Sequence, residues 1–159
     1  IFIHLRGSHL TYSKRYPESF KHFDQATDVK IYTDTPTQEQ INIVNTYDNS
    51  IRYTDWVIHE IIKQLKQNKG VGSLVYFSDH GEEIYDYEDF VGHELKRTTP
   101  VMFDIPFIIW TNQTAQKVNQ KNIEKLKFIS SSSYRNDQFL SVFSCLTKIR
   151  LNISNQTCN

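Results

Sequence analysis

No stretch of this sequence approaches the ~20 consecutive apolar residues that a bilayer-spanning helix demands. The longest apolar run of note, Ile105 to Trp110, is strand-sized and interrupted by Pro106. Net charge is lacking too, since 18 Lys and Arg face 18 Asp and Glu. A nucleic-acid partner needs a concentrated basic surface, and a balanced chain gives no electrostatic reason to expect one. Repeats, Gly- or Pro-rich linkers and low-complexity tracts beyond Ser130 to Ser133 are missing, so the chain reads as one continuous unit. No basic stretch or cleavage site precedes the first apolar residues, so no signal peptide is expected. The chain opens instead on Ile1-Phe2-Ile3-His4-Leu5, which reads as a buried strand. A start inside a strand predicts a piece of a longer protein.

Cysteine is equally scarce. Cys145 and Cys158 are the only two, with twelve residues between them. A disulfide joining them is geometrically possible; alternatively, Cys145 belongs to the apolar face of a helix and is simply core. Three Asn-x-Ser/Thr sites, at Asn112, Asn152 and Asn155, are what chance supplies in so Asn-rich a chain.

The composition, 38% hydrophobic over 159 residues, is enough for a real core. Short apolar runs bounded by polar turns lie at Ile1–Leu5, Val29–Tyr32, Leu74–Phe77, Phe107–Trp110 and Phe128–Ile129. None alternates cleanly, which suits strands buried on both faces of a parallel sheet. Between the second and third lies the clearest helix. Thr37 and Gln40 form a capping box, and Ile41, Val44, Ile51, Ile58, Ile62 and Leu65 recur at helical spacing until Asn68-Lys69-Gly70 stops the pattern. Asp48 and Asp55 share that register and are read as bracing neighbouring loops. A second helix is expected over Asp137–Ile149, with Phe139, Leu140, Phe143, Leu146 and Ile149 as its apolar stripe. Strands alternating with helices predict an α/β fold, a mainly parallel sheet sandwiched by helices, with ligands at the carboxyl ends of strands.

The strongest chemical signal is Val75-Tyr76-Phe77-Ser78-Asp79-His80-Gly81-Glu82, an apolar strand running into Asp-His-Gly. A strand end holds two adjacent side chains on a rigid element, and glycine permits the sharp turn that follows. Carboxylate and imidazole are good zinc donors. Taken alone, an Asp-His pair is more often an ordinary polar turn. His93 and His9, with His4 inside the first strand, change that weighing, although a satisfied core histidine competes for His4. His22 and His59 have no such context and are read as surface or helix-face residues. No nucleophile has an obvious claim: Ser78 should face away from Asp79, and Ser130 to Ser133 reads as a loop.

These residues resemble the phosphoethanolamine transferases of the bacterial envelope, within the sulfatase and alkaline-phosphatase superfamily. The resemblance is carried by His4-Leu5-Arg6-Gly7-Ser8-His9 with Tyr12 and Arg15-Tyr16-Pro17, and by Tyr47-Asp48-Asn49-Ser50-Ile51 with Asp55. It continues through Ser78-Asp79-His80-Gly81-Glu82-Glu83, Ile105-Pro106-Phe107-Ile108-Ile109-Trp110 and Asn136-Asp137-Gln138-Phe139-Leu140. The match runs in order over nearly the whole chain. It implies an alkaline-phosphatase-like fold in which residues 1–159 form the C-terminal part of a sulfatase-like catalytic domain. Asp79 and His80 would bind the principal zinc, His9 and His93 would sit at a second metal or the phosphate, and His4 would contact phosphate. The family's glutamate ligand and threonine nucleophile precede the Gly-Ser-His motif, so both would lie outside this chain, as would the membrane helices. The fragment alone is then expected to bind zinc weakly and to turn nothing over.

The implied reaction is ping-pong transfer of phosphoethanolamine from phosphatidylethanolamine to lipopolysaccharide, at a core sugar or lipid A. It would take place at the periplasmic face of the inner membrane, with no nucleic acid involved. Gly81-Glu82-Glu83-Ile84-Tyr85-Asp86 and Gly92-His93-Glu94 look more like the branch acting on the lipopolysaccharide core. The rival readings are a sulfatase or phosphoglycerol transferase, and, from another class, a non-catalytic metal-binding α/β domain. The Arg-Tyr-Pro and Tyr-Asp-Asn motifs favour the ethanolamine branch.

Overall fold

The computed structural model describes residues 1–26, 29–130, 133–152 and 158. The chain divides into two compact units. Unit 1 comprises Ile1–Glu60 and His80–Ile105, and unit 2 comprises Ile61–Asp79 and Pro106–Asn159. No flexible linker marks the division, because one crossing lies inside a helix. That helix, α1, runs over Gln38–Gln67.

The helix starts where the capping box predicts. Gln40 N–H donates to Thr37 Oγ1 at 3.2 Å, and Thr37 N–H donates to Gln40 Oε1 at 2.9 Å. In unit 1, Ile41, Val44 and Ile58 are buried as expected, whereas Ile51 is exposed. The middle of the helix buries Asn45, Asn49, Ser50 and Thr54 instead. Asn49 Oδ1 accepts from the backbone N–H groups of His22 (2.7 Å) and Phe23 (3.0 Å), and its Nδ2 donates to the Phe23 carbonyl (2.9 Å). Asn45 Nδ2 reaches the Gln25 carbonyl at 3.1 Å. A segment with no sheet ladder thus satisfies its backbone on helix side chains. The unit-1 core is Tyr12, Val44, Ile84 and Tyr85, with Val29, Ile31 and Tyr47 packed against it. Strands β2 (Glu83–Ile84) and β3 (Val91–Gly92) form an antiparallel hairpin beside it, pairing Glu83 with Gly92.

Unit 2 is built on β1 (Ser73–Phe77) and β4 (Phe107–Thr111), paired antiparallel from Ser73↔Thr111 to Phe77↔Phe107. Helices α2 (Gln113–Val118), α3 (Gln120–Ile129) and α4 (Phe139–Thr147) follow. Asn112 ties the turn together: its Oδ1 accepts from the Ala115 and Gly72 N–H groups at 2.8 and 3.1 Å, capping α2. Buried there, Asn112 offers no glycan site, and Asn155 lies outside the described residues. The core comprises Leu126, Val142, Cys145 and Cys158, and the two cysteines form a disulfide. Both readings of Cys145 therefore hold, since it is paired and fully buried.

Several expectations need correction. The described strand pairings are both antiparallel, not parallel. Ile1–Leu5 and Val29–Tyr32 are not strands: a strand needs a ladder, and among the described residues neither run has one. Phe128–Ile129 is the end of α3, because a two-residue apolar run carries no period to separate strand from helix. In α4 the buried face is Ser141, Val142, Ser144 and Cys145, while Leu140 and Phe143 are exposed, as is Ile149 beyond the helix end. Small side chains and the disulfide set that face. Ser130 closes α3, and Ser131 and Ser132 lie outside the described residues. No described helix is long and apolar enough to cross a membrane.

Two outcomes follow for stability. The disulfide closes a loop of sequence separation 13, so reduction should lower unfolding free energy by about 2–4 kcal/mol, read from denaturant midpoints with and without dithiothreitol. The Asp48 carboxyl is held above its ordinary range by burial, and next by the charge of Asp86. Stability from this group is present at pH values below the ordinary aspartate pKa and is lost as pH rises through the raised one. Asp48→Asn should therefore raise the melting temperature at neutral pH and leave it unchanged in acid.

Candidate metal centre

Strand β1 delivers the chain to Ser78, whose carbonyl accepts from Asn136 Nδ2 at 2.8 Å, anchoring the strand end just before Asp79. His80 follows at once. Beyond it, Gly81 N–H donates to the Met102 carbonyl at 2.8 Å. A Cβ on Gly81 would stand 2.0 Å from the Val101 carbonyl oxygen, so only glycine fits under the single 3-10 turn Pro100–Met102. The His80 Nδ1 lies 2.9 Å from the Gly81 carbonyl. A carbonyl can only accept, so Nδ1 is the donor and Nε2 is the ring nitrogen left to act as a ligand. That is the arrangement which orients a metal-ligating imidazole.

Glu82 and Glu83 then part to opposite sides, as successive residues of an extended chain must. Glu83 is fully buried and braces the hairpin. The Glu82 side chain, 8% exposed, turns toward His93, its Oε1 3.8 Å from His93 Nδ1. The hairpin register explains this meeting: with Glu83 opposite Gly92, the next pair outward is Glu82 and His93. Gly92 takes φ +110°, a conformation L side chains rarely adopt, to release His93 from β3. The His80 and His93 rings lie with centroids 3.5 Å apart. One ligand atom each from His80, Glu82 and His93 falls within 4.8 Å of the others.

Behind the carboxylate stands Tyr12, whose hydroxyl donates to Glu82 Oε2. Burial, followed by the hydrogen bond to Glu82, raises the Tyr12 pKa far above the ordinary phenol value. Tyr12 therefore remains a proton donor and fixes one Glu82 oxygen while the other faces the imidazoles. Its ring is held edge-on to Tyr47 at 5.2 Å.

Of the predicted site residues, the structure brings His80 and His93 together. Asp79 is exposed and immediately precedes His80. His9 is exposed, with Nδ1 2.8 Å from the Leu10 carbonyl. Arg15 clamps the same turn, donating to the His9 and Leu10 carbonyls at 2.7 and 2.6 Å. His4 lies exposed in the irregular N-terminal segment. Neither His4 nor His9 is in the clustered group. His22 and His59 are exposed, as expected. Sequence reasoning missed Glu82 and Tyr12 as site residues. The signal for Glu82 was its position two residues after His80, which places both on one side of an extended chain. Tyr12, 70 residues from Glu82, had no comparable signal.

Two imidazoles, one with an anchored tautomer, and a desolvated carboxylate with a fixed partner are a donor set that fits a divalent metal. Titration of the chain with zinc should show His80→Ala, His93→Ala and Glu82→Gln each weakening binding by about 100-fold or more. Tyr12→Phe, which removes only the supporting hydroxyl, should cost on the order of tenfold. Gly81→Ala removes no ligand, yet should weaken binding and destabilise the fold by about 1–3 kcal/mol through overpacking.

A family model described as Sulfatase matches residues 1–137. Phosphoethanolamine transferase EptC of Escherichia coli (strain K12) is 37% identical over 130 residues, covering 79% of this chain and 22% of that protein. Phosphoethanolamine transferase EptA of Salmonella typhimurium is 33% identical over 157 residues, covering 94% of this chain and 28% of that protein. Among solved structures, the C-terminal periplasmic domain of EcEptC from Escherichia coli matches with a TM-score of 0.75 at 33% identity. That match covers 88% of this chain and 39% of that one. The chain thus spans well under a third of the length of the two transferases. The likeness bears out the expected α/β class, a partial alkaline-phosphatase-like domain. With the match extending over most of its length, this chain belongs to the Sulfatase family.

Proposed function

We propose that residues 1–159 are the C-terminal part of the catalytic domain of a phosphoethanolamine transferase. In this reading it moves phosphoethanolamine from phosphatidylethanolamine to lipopolysaccharide, at a core sugar or lipid A. The observation that carries the reading is the gathering of His80, Glu82 and His93 within 4.8 Å, in a Sulfatase-family chain whose relatives bear that transferase name. Sulfatase and phosphoglycerol transferase readings have no comparable support. The Gly81–Asp86 and Gly92–Glu94 segments favour the core-sugar branch.

In the proposed site Asp79 and His80 hold zinc, joined by Glu82 and His93. Zinc bound there supplies Lewis-acid stabilisation of charge developing on the non-bridging phosphoryl oxygens. Tyr12 keeps Glu82 oriented through its hydroxyl, and Gly81, close under the Pro100–Met102 turn, anchors the chain beside His80. His9, on the turn that Arg15 clamps, together with His4 orients phosphate. The nucleophile in this reading is a threonine outside residues 1–159. The EptC domain is described as periplasmic, and the same location is proposed here, with membrane helices outside this chain.

The test uses the longer protein, with transfer read by mass spectrometry of lipopolysaccharide. His80→Ala and His93→Ala should lower transfer by at least 100-fold with circular dichroism unchanged. His59→Ala, on the exposed face of α1, should leave it intact. Normal transfer by a folded His80→Ala protein would reduce the Asp79-His80 pair to an ordinary strand-end turn.

A further inference from the structure

The chain is neutral as a whole, but its two units are not. Unit 2 carries ten Lys and Arg against three Asp and Glu, a net charge of +7; unit 1 carries eight against fifteen, a net charge of −7. Within unit 2, three of those cations meet at one place. A cleft of about 360 Å³ lies where the junction of α2 and α3 faces the C-terminal end of α4, lined by Val118, Lys121, Lys148, Ile149 and Arg150 among others. No carboxylate is found among its described lining residues. Lys148 Nζ donates to the Val118 carbonyl at 2.8 Å, pinning the two walls together. Lys121 and Arg150 have no acidic partner among the described residues. Glu124, one turn from Lys121, is engaged by Gln120 Nε2 at 2.9 Å.

We propose that this cleft and its rim are a docking surface for the anionic face of a phospholipid bilayer. The cations alternate with exposed aliphatic side chains: Val118 follows Lys117, and Ile149 stands between Lys148 and Arg150. Val118 and Ile149 are 57% and 50% exposed. Basic groups that meet headgroup phosphates beside apolar groups that enter the acyl boundary are what an interfacial surface requires. A nucleic-acid strand would call for aromatic stacking platforms, and none lines the cleft. The surface shares no residue with the metal centre, so it stands whether or not the transferase reading does.

The experiment is co-sedimentation of the chain with vesicles of phosphatidylcholine alone and of phosphatidylcholine mixed with phosphatidylglycerol. Binding should appear only on the anionic vesicles, fall steeply with added salt, and survive chelation of metal. Each cation removed should weaken it by about fivefold, so Lys121→Glu/Arg150→Glu should weaken it by about 25-fold or more. The milder Lys121→Gln/Arg150→Gln pair serves if circular dichroism shows the reversal misfolded, and the salt titration needs no variant at all. Lys14→Glu/Lys21→Glu, in unit 1, should change nothing. Val118→Ser/Ile149→Ser should lower the binding that persists at high salt. Equal binding to neutral vesicles, or full binding by a folded Lys121→Gln/Arg150→Gln protein, would overturn the proposal. So would capture by heparin with no vesicle binding, which would assign the cleft to a soluble polyanion.

Discussion

Glu83 is fully buried, and three donors converge on its carboxyl group. Thr99 Oγ1 donates to Oε2 at 2.5 Å, and the N–H groups of Tyr87 and Glu88 donate to Oε1 at 2.7 and 3.4 Å. A buried carboxylate with fewer partners would be costly enough to expel itself or to take a proton. Because these donors come from the hairpin tip and from the strand exit beyond it, Glu83 fixes the β2–β3 register. That register sets Glu82 opposite His93, and through Tyr12 it reaches back to the N-terminal segment. Two adjacent glutamates therefore divide the work by chain geometry alone: one faces inward to hold the hairpin, the other toward the imidazoles.

The same economy of polar groups governs α1. Its central turns bury asparagine, serine and threonine where a simple amphipathic pattern calls for apolar residues, because the segment at residues 20–25 lacks a ladder of its own. Asn49 supplies two acceptances and one donation to that backbone, and Arg52 Nη1 adds a bond to the Phe20 carbonyl at 3.0 Å. The Arg52 guanidinium also lies 5.9 Å from the Phe20 ring, which packs against Tyr53 and Trp56. The helix is thus a scaffold for irregular chain, which is how unit 1 keeps Tyr12 in place beside a two-strand hairpin.

How far this was legible in the sequence depends on the range of the interaction. The α1 capping box, its stop at Asn68, and strands β1 and β4 were readable because each is written in neighbouring residues. The polar burial at Asn45 and Asn49 was not, since its partners lie some twenty residues away and hydrophobic periodicity cannot register an asparagine serving as a backbone surrogate. Strand direction was also hidden: continuous apolar runs indicate burial on both faces, not the sense of pairing. At the candidate site, the Asp79-His80 turn and His93 were visible as motif residues. The meeting of Glu82 with His93 depends on hairpin register, and the support from Tyr12 depends on tertiary contact. A one-residue register slip would have sent Glu82 to the other face.

Net charge illustrates the opposite failure, a signal present in the sequence but averaged away. A total of zero gave no electrostatic reason to expect a nucleic-acid partner, yet residues 106–159 alone hold seven Lys and Arg against two Asp and Glu, and residues 80–105 hold two against seven. Electrostatic attraction at a surface falls off within a Debye length of about 10 Å at 0.1 M salt. A partner therefore responds to the charges on the face it meets, not to the sum over the molecule. The relevant total is taken over a compact unit, and the units here are interleaved along the chain. Once the fold sorts the segments, the acidic excess belongs with the unit that carries the candidate metal centre, where carboxylates can serve as ligands and braces. The basic excess belongs with the helices of unit 2, where no described metal-binding group is found.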